Sequence, residues 1–193
     1  MKKKVLFIFL VLFLISVNVF AMEFQLSGYY GVYLKDENLF KQLYGKNKKI
    51  FGMGMDFFFI KFSALYIDAG YMYASGESSY YKLPLSYRET QLSAGVKFRF
   101  TLIRFSPLYE LNLYGKVGGL YISYSETFEE KISGNIFGVT AGGGIIFWLK
   151  RIGVGLEMMK NIATKDVDIQ GLDTTEEIDY GGLRIVLKGV IRF

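Results

Sequence analysis

Four carboxylates, Asp56, Asp68, Glu110 and Glu157, stand in stretches that are otherwise apolar or small. Two of them at close range could act as general acid and general base. A second constellation begins at Asp166. With Asp168, Gly171 and Glu177 it matches positions one, three, six and twelve of the calcium-loop spacing D-x-[DN]-x-[DN]-G-x₅-E. Gln170 replaces the expected acid or Asn, Asp173 replaces the usual apolar residue after the glycine, and the flanks read as strands rather than helices. Asp166, Asp168 and Glu177 are therefore a candidate weak divalent-cation site, weighed against an ordinary solvated acidic loop.

Other chemistry is excluded by composition. The chain has no His, so the usual base near neutral pH and the commonest metal ligand are missing. Hydrolysis of the Ser-His-acid kind lacks its activating base. With no Cys there is neither a disulfide framework nor a thiolate zinc site. The simpler expectation for the four acids is pairing with Lys97, Arg99, Lys116, Arg184, Lys188 and Arg192, because buried charges need partners. No cofactor is implied and an enzyme is not expected.

The elements that would position these charges are strands. Phe24, Leu26, Gly28, Tyr30, Val32 and Leu34 alternate with Gln25, Ser27, Tyr29, Gly31 and Tyr33. At the other end, Leu183, Ile185, Leu187, Gly189, Ile191 and Phe193 share a face opposite Arg184, Lys188 and Arg192. Period-two alternation is the strand signature. It recurs over 24–34, 50–60, 64–74, 88–100, 108–123, 134–149, 152–162 and 179–193, which predicts eight strands. Most exceed the usual strand of about 5–6 residues, and a tilted strand needs about 9–11 to cross a hydrocarbon core.

The connections sort by length. Short ones fall near 61–63, 101–107 and 150–151; long polar ones occupy 35–49, 75–87, 124–133 and 163–178. Short turns on one side and long loops on the other are what outer-membrane barrels show.

Which face is apolar decides the solvent. One face carries Asp56, Asp68, Lys97, Arg99, Glu110, Lys116, Glu157, Arg184, Lys188 and Arg192 among glycines such as Gly52, Gly54, Gly118, Gly142, Gly144, Gly153 and Gly155. As a lumen this face makes sense, since glycine leaves room for long side chains from across a barrel. The other face, including Phe51, Met53, Met55, Phe57, Leu65, Ile67, Val117 and Leu156, is almost free of charge. A soluble barrel would be built the other way round. Tyr30, Tyr71, Tyr73, Tyr121 and Tyr124 on the loop side, and Phe100, Phe105, Tyr109, Trp148 and Phe193 on the turn side, read as interfacial girdles.

The N-terminus has the grammar of a cleaved signal peptide. Lys2, Lys3 and Lys4 precede an apolar run from Val5 to Ile15, and Val19 and Ala21 stand at −3 and −1 of a cut. Those three lysines supply most of the formal charge of +5, leaving +2 for residues 22–193, so basicity gives no reason to expect a nucleic-acid partner. Charge among the loops is lopsided: Lys35, Lys41, Lys46, Lys48 and Lys49 make 35–49 basic, whereas 124–133 and 163–178 are acidic.

Over residues 23–193 the pattern resembles the small eight-stranded outer-membrane barrels of the OmpA/OmpX type. The most specific feature is the end, Leu187-Lys188-Gly189-Val190-Ile191-Arg192-Phe193. It looks like the terminal-strand signal read by the barrel-assembly machinery, with Leu187, Ile191 and Phe193 carrying recognition. The resemblance implies an all-β fold, a closed antiparallel up-and-down transmembrane barrel of eight strands. It implies the outer membrane of a diderm bacterium, with lipid and lipopolysaccharide as partners. The function expected is structural or surface-binding, with four external loops on a rigid, salt-bridged barrel. A narrow passive channel is the alternative, and a lipid-modifying enzyme is the third reading.

Overall fold

Alternation of β-branched and aromatic residues with small or polar ones suits a pleated surface of which each face meets a different medium. Both prolines stand at strand limits, Pro84 opening one strand and Pro107 following the end of that same strand. A computed structural model describes residues 23–36, 40, 43–44, 47–77, 84–106, 108–127, 131–168 and 175–193. The leader 1–21, Lys41, Lys46, Gln170, Gly171 and Asp173 lie outside the described residues.

The strands are β1 (Glu23–Lys35), β2 (Asn47–Ile60), β3 (Ser63–Glu77), β4 (Pro84–Ser106), β5 (Tyr109–Thr127), β6 (Lys131–Leu149) and β7 (Ile152–Ile162), then β8 (Thr164–Asp168), β9 (Thr175–Asp179) and β10 (Gly182–Arg192). Eight of them close a barrel in the order β1-β10-β7-β6-β5-β4-β3-β2. Each pairing is antiparallel, and β1 closes the ring by bonding β2 on one edge and β10 on the other. Closure leaves no sheet edge, which is what a backbone in lipid requires. The small hairpin β8–β9 stands apart from the ring.

Register puts one parity outside. Ile67, Leu65, Val117, Val154 and Leu156 are all about half exposed and Met53 more so, and this apolar surface runs around the wall. Its size far exceeds the few hundred Å² that soluble monomers expose. Hydrocarbon is the solvent it matches.

Several expectations need correction. Strand pairing continues past the predicted limits: β3 and β4 stay paired from Ser63↔Phe98 to Glu77↔Pro84, and β5 and β6 out to Thr127↔Lys131. Within the ranges 75–87 and 124–133, the described residues 75–77, 84–87, 124–127 and 131–133 are thus strand. Above the membrane the outer face of such a ribbon need not be apolar, although Leu85, Tyr87 and Tyr124 turn inward, so the wall-and-lumen contrast in the sequence fades there. On the turn side, 101–106 also belongs to β4, through register shifts at Thr101/Ile103 and Arg104/Ser106. Those irregularities break the alternation that marked the other strands. Leu108 lies in the turn that leads into β5.

Two girdle assignments fail. Trp148 is fully buried and Tyr124 nearly so, both inside the barrel. Each has the parity of its strand's inward residues, Ile146 and Ile122, so position near a rim was a poorer guide than parity. Tyr30, Tyr73, Phe100, Phe105, Tyr109 and Phe193 do lie exposed on the wall. Lys35 is also misplaced as a loop charge: it ends β1 and points inward, buried.

Candidate functional site

The lumen is built in layers, each from residues of inward parity on several strands. Nearest the turns, Arg99 grips Glu23 through two bonds, Nη1 to Oε1 at 2.6 Å and Nη2 to Oε2 at 3.1 Å. Its guanidinium also lies over Phe58, 4.0 Å from the ring centre. On the other side of this rim Arg192 pairs with Glu110, whose second oxygen takes Arg104 at 3.3 Å. Arg192 stacks over Trp148, 4.7 Å from its ring. Such fork-to-carboxylate and cation–ring contacts use arginine's planar, always-charged head.

One layer further in, Lys97 Nζ donates to Asp56 Oδ2 at 2.5 Å and lies 4.5 Å from the Tyr114 ring centre. Then comes the densest part. Lys116 reaches Asp68 at 2.7 Å and Glu157 at 3.1 Å. Arg184 and Lys188 converge on the same Glu157, at 2.8 and 3.1 Å. Tyr114 Oη adds a donor to Glu157 at 2.9 Å, and Tyr29 Oη accepts from Arg184 at 3.0 Å. Across these inner layers four cations, Lys97, Lys116, Arg184 and Lys188, face three carboxylates, Asp56, Asp68 and Glu157. All seven are buried. At such burial charges persist because each has an opposite partner, and all but Lys97 and Asp56 have more than one.

Toward the loops the lumen becomes polar and then apolar. Asn161 accepts from Thr140 at 2.7 Å and donates to Gln91 at 3.1 Å. Glu89 takes Tyr87 Oη at 2.6 Å, Gln91 at 2.7 Å and Lys35 at 2.6 Å. The Lys35 ammonium is ringed by Tyr33, Phe40, Tyr87 and Tyr180, each centre within 5.5–5.7 Å. Above it a plug of buried apolar groups, among them Phe40, Tyr44, Leu85, Ile122 and Tyr124, fills the loop-side end. Tyr87 stacks on Tyr124, and Tyr44 Oη donates to Glu126 at 2.5 Å, linking the first loop to the end of β5.

All ten charges marked in the sequence have inward parity, yet they form separate groups. Arg99, Glu110 and Arg192 belong to the turn-side rim, and the other seven to the inner layers. Tyr29, Tyr114, Gln25, Gln91, Asn161, Lys35, Glu89 and Glu23 were not marked. Their signal was present, since each has the parity of its strand's charged residues. Leu187, Ile191 and Phe193 are on the outer wall, about half exposed or more. In the fourth loop Asp166 and Glu177 are cross-strand neighbours in β8–β9, and Asp168 faces Thr175. The two ends of the twelve-residue spacing thus meet across a hairpin rather than flank helices.

No family model matches this chain, and no curated protein matches it. Solved structures do. The outer membrane protein OprG of Pseudomonas aeruginosa aligns over 90% of this chain and 96% of its own, with a TM-score of 0.65 and 12% identity. The fold is that of a small outer-membrane barrel. Ail, the attachment invasion locus protein of Yersinia pestis, in complex with the heparin analogue sucrose octasulfate, aligns over 90% of this chain and 99% of its own at 16% identity and a TM-score of 0.54. The N-terminal β-barrel domain of Pseudomonas aeruginosa OprF covers 90% and 98%, at 10% identity and a TM-score of 0.52.

Proposed function

We propose that the chain is an integral outer-membrane barrel of structural or surface-binding type. Residues 1–21 serve as a cleaved export signal, and the loop side faces the exterior. The observation that carries this reading is the inversion of the barrel: charges paired inside, bare apolar wall outside. An eight-stranded barrel has an interior just wide enough for side chains to fill. Here Lys116, Arg184 and Lys188 fill it around Glu157, and the plug of Phe40, Tyr44, Ile122 and Tyr124 covers the loop end. That favours a rigid support for loops over a solute path. Each inner carboxylate is held by a cation at 2.5–3.1 Å, an arrangement that leaves none poised for proton transfer and favours a non-enzymatic role.

Toward the loop end, Lys41 and Lys46 precede β2 and Lys48 and Lys49 open it, and an anionic polymer is the partner class such a cluster attracts. Lipopolysaccharide and sulfated glycans share that chemistry. Leu187, Ile191 and Phe193 present the outward row that the assembly machinery would read. The acidic hairpin with Asp166, Asp168 and Glu177 keeps its weaker standing as a divalent-cation site, which calorimetry with calcium tests.

The experiment is refolding in detergent, gel mobility with and without boiling, then planar-bilayer recording and retention on immobilised heparin. A heat-dependent mobility shift, no conductance steps, and retention lost in the Lys41, Lys46, Lys48 and Lys49 to Ala variant are expected. A detergent-free soluble monomer overturns the membrane assignment. Conductance steps overturn the plugged-support reading.

A further inference from the structure

The turn-side mouth of the barrel is a cavity of about 480 Å³, floored by Phe58 and Arg99. Five cations line it, Lys61, Arg99, Arg104, Arg151 and Arg192, against the carboxylates of Glu23 and Glu110. Both carboxylates are already committed, Glu23 to both amines of Arg99, and Glu110 to Arg192 and Arg104. Lys61 and Arg151 have no acidic partner within ion-pair distance among the described residues. An α-carboxylate at Phe193, which also lines the cavity, would still leave cations in excess.

The unpaired Lys61 and Arg151 and the half-committed Arg104 come from different places in the chain. Lys61 lies between β2 and β3, Arg151 between β6 and β7, and Arg104, its side chain two-thirds exposed, near the end of β4. Cations gathered from two turns and a strand end around one mouth repel one another unless an anion sits among them. A tetrahedral anion with several charged oxygens suits this better than a single carboxylate, because guanidinium forks and an ammonium can each take a different oxygen. The buried Lys97–Asp56 pair forms the next layer inward from this vestibule.

We propose that this vestibule binds phosphate groups. Two sources share the chemistry: the headgroup of an anionic phospholipid, since Phe100, Tyr109 and Phe193 place the rim at the interface, or a soluble phosphate compound. The lipid source rests on the membrane reading above; the soluble source does not.

Trp148, the single tryptophan, stacks on the cavity-lining Arg192 and reports the site. The folded barrel in zwitterionic detergent is titrated with inorganic pyrophosphate at constant ionic strength, following Trp148 fluorescence. A saturable change is expected. The variant Lys61→Ala/Arg104→Ala/Arg151→Ala should bind at least about tenfold more weakly, with an unaltered heat-dependent gel shift, whereas Lys160→Ala at the opposite end should bind as the parent does. Nanodiscs with and without phosphatidylglycerol separate the sources. If pyrophosphate titrates only the discs lacking it, the headgroup already occupies the vestibule; equal titration in both assigns a soluble phosphate. No saturable response to pyrophosphate and no phosphatidylglycerol-dependent shift overturns the proposal. So does the same response in the triple variant as in the parent.

Discussion

Lys35 Nζ lies 2.6 Å from Glu89 Oε2 with both side chains withdrawn from solvent, although one residue ends β1 and the other sits within β4 across the barrel. The pair marks the level where the charged lumen gives way to the aromatic plug. Glu89 is further held by Tyr87 and Gln91, and Lys35 donates to the Tyr180 carbonyl at 2.8 Å. Removing one partner strands the other charge. Lys35→Met should cost about 3–5 kcal/mol of barrel stability, and Lys35→Met/Glu89→Leu should recover much of it. Urea unfolding in lipid vesicles measures both; a single variant as stable as the parent would show that the pair is not coupled.

Depth in the lumen should rank the carboxylates. Glu157 receives Lys116, Lys188, Arg184 and Tyr114 in full burial, whereas Glu110 sits at the rim beside exposed Arg104. Glu157→Gln is expected to lose about 3–5 kcal/mol, and Glu110→Gln clearly less. Equal losses in the same unfolding assay would contradict the layered description.

Val117 faces outward on β5 between Tyr109 and Tyr121, half exposed and near the middle of the wall. Val117→Arg should destabilise the barrel in bilayers by roughly 2–4 kcal/mol, the midplane cost of a cation on a lipid face. Glu126→Arg, beyond the girdle, should not incur that lipid-face cost, although it loses the Tyr44 bond. If Val117→Arg unfolds at the parent's midpoint, the wall is not in hydrocarbon.

Trp148 allows a direct check of the girdle correction. Buried inside the lumen, it should be shielded from quenchers carried on lipid chains. Brominated phospholipids are expected to quench it only weakly. Quenching as strong as that of an added wall tryptophan, for example Phe147→Trp in a Trp148→Phe background, would return Trp148 to the girdle.

Tyr44 sets a pH dependence on the loop side. Burial, then its bond to Glu126, holds the Tyr44 phenol above the ordinary tyrosine value. A raised value favours the neutral, donating form. The tie therefore contributes fully below about pH 10, the unfolded value, and its contribution is lost as pH rises through the higher folded one. Tyr44→Phe should be less stable than the parent at pH 8 by about 1.5–3 kcal/mol, and the gap should narrow at higher alkaline pH. A gap constant from pH 8 to well above pH 10 argues against the tie.

Alternation was sufficient to assign nearly every side chain to the wall or the lumen, because a strand has a side-chain period of two and the two faces meet different media. Ten charges in one parity, apolar residues in the other, and strands too long for an ordinary sheet already specified an inverted, closed barrel. The exceptions are instructive. Trp148 and Tyr124 were placed by height along the barrel when parity placed them inside. The strand ribbons at 75–77, 84–87, 124–127 and 131–133 escaped notice because neither of their faces is set against hydrocarbon.

Partner choice was not legible. Parity says that Lys116, Glu157 and Arg184 point inward, but which of them meet depends on the stagger between strands and on which strands stand opposite each other once the sheet closes. Only the tertiary structure brings β3, β5, β7 and β10 together around Glu157, or carries Lys35 to Glu89. The plug of Phe40, Tyr44 and Tyr124 and the cationic mouth of Lys61, Arg104 and Arg151 are likewise products of closure, since their members come from turns and strands that no local pattern connects. The sequence determined an apolar wall around a charged interior, because a period-two contrast survives in any register; closure alone decided which charges neutralise one another.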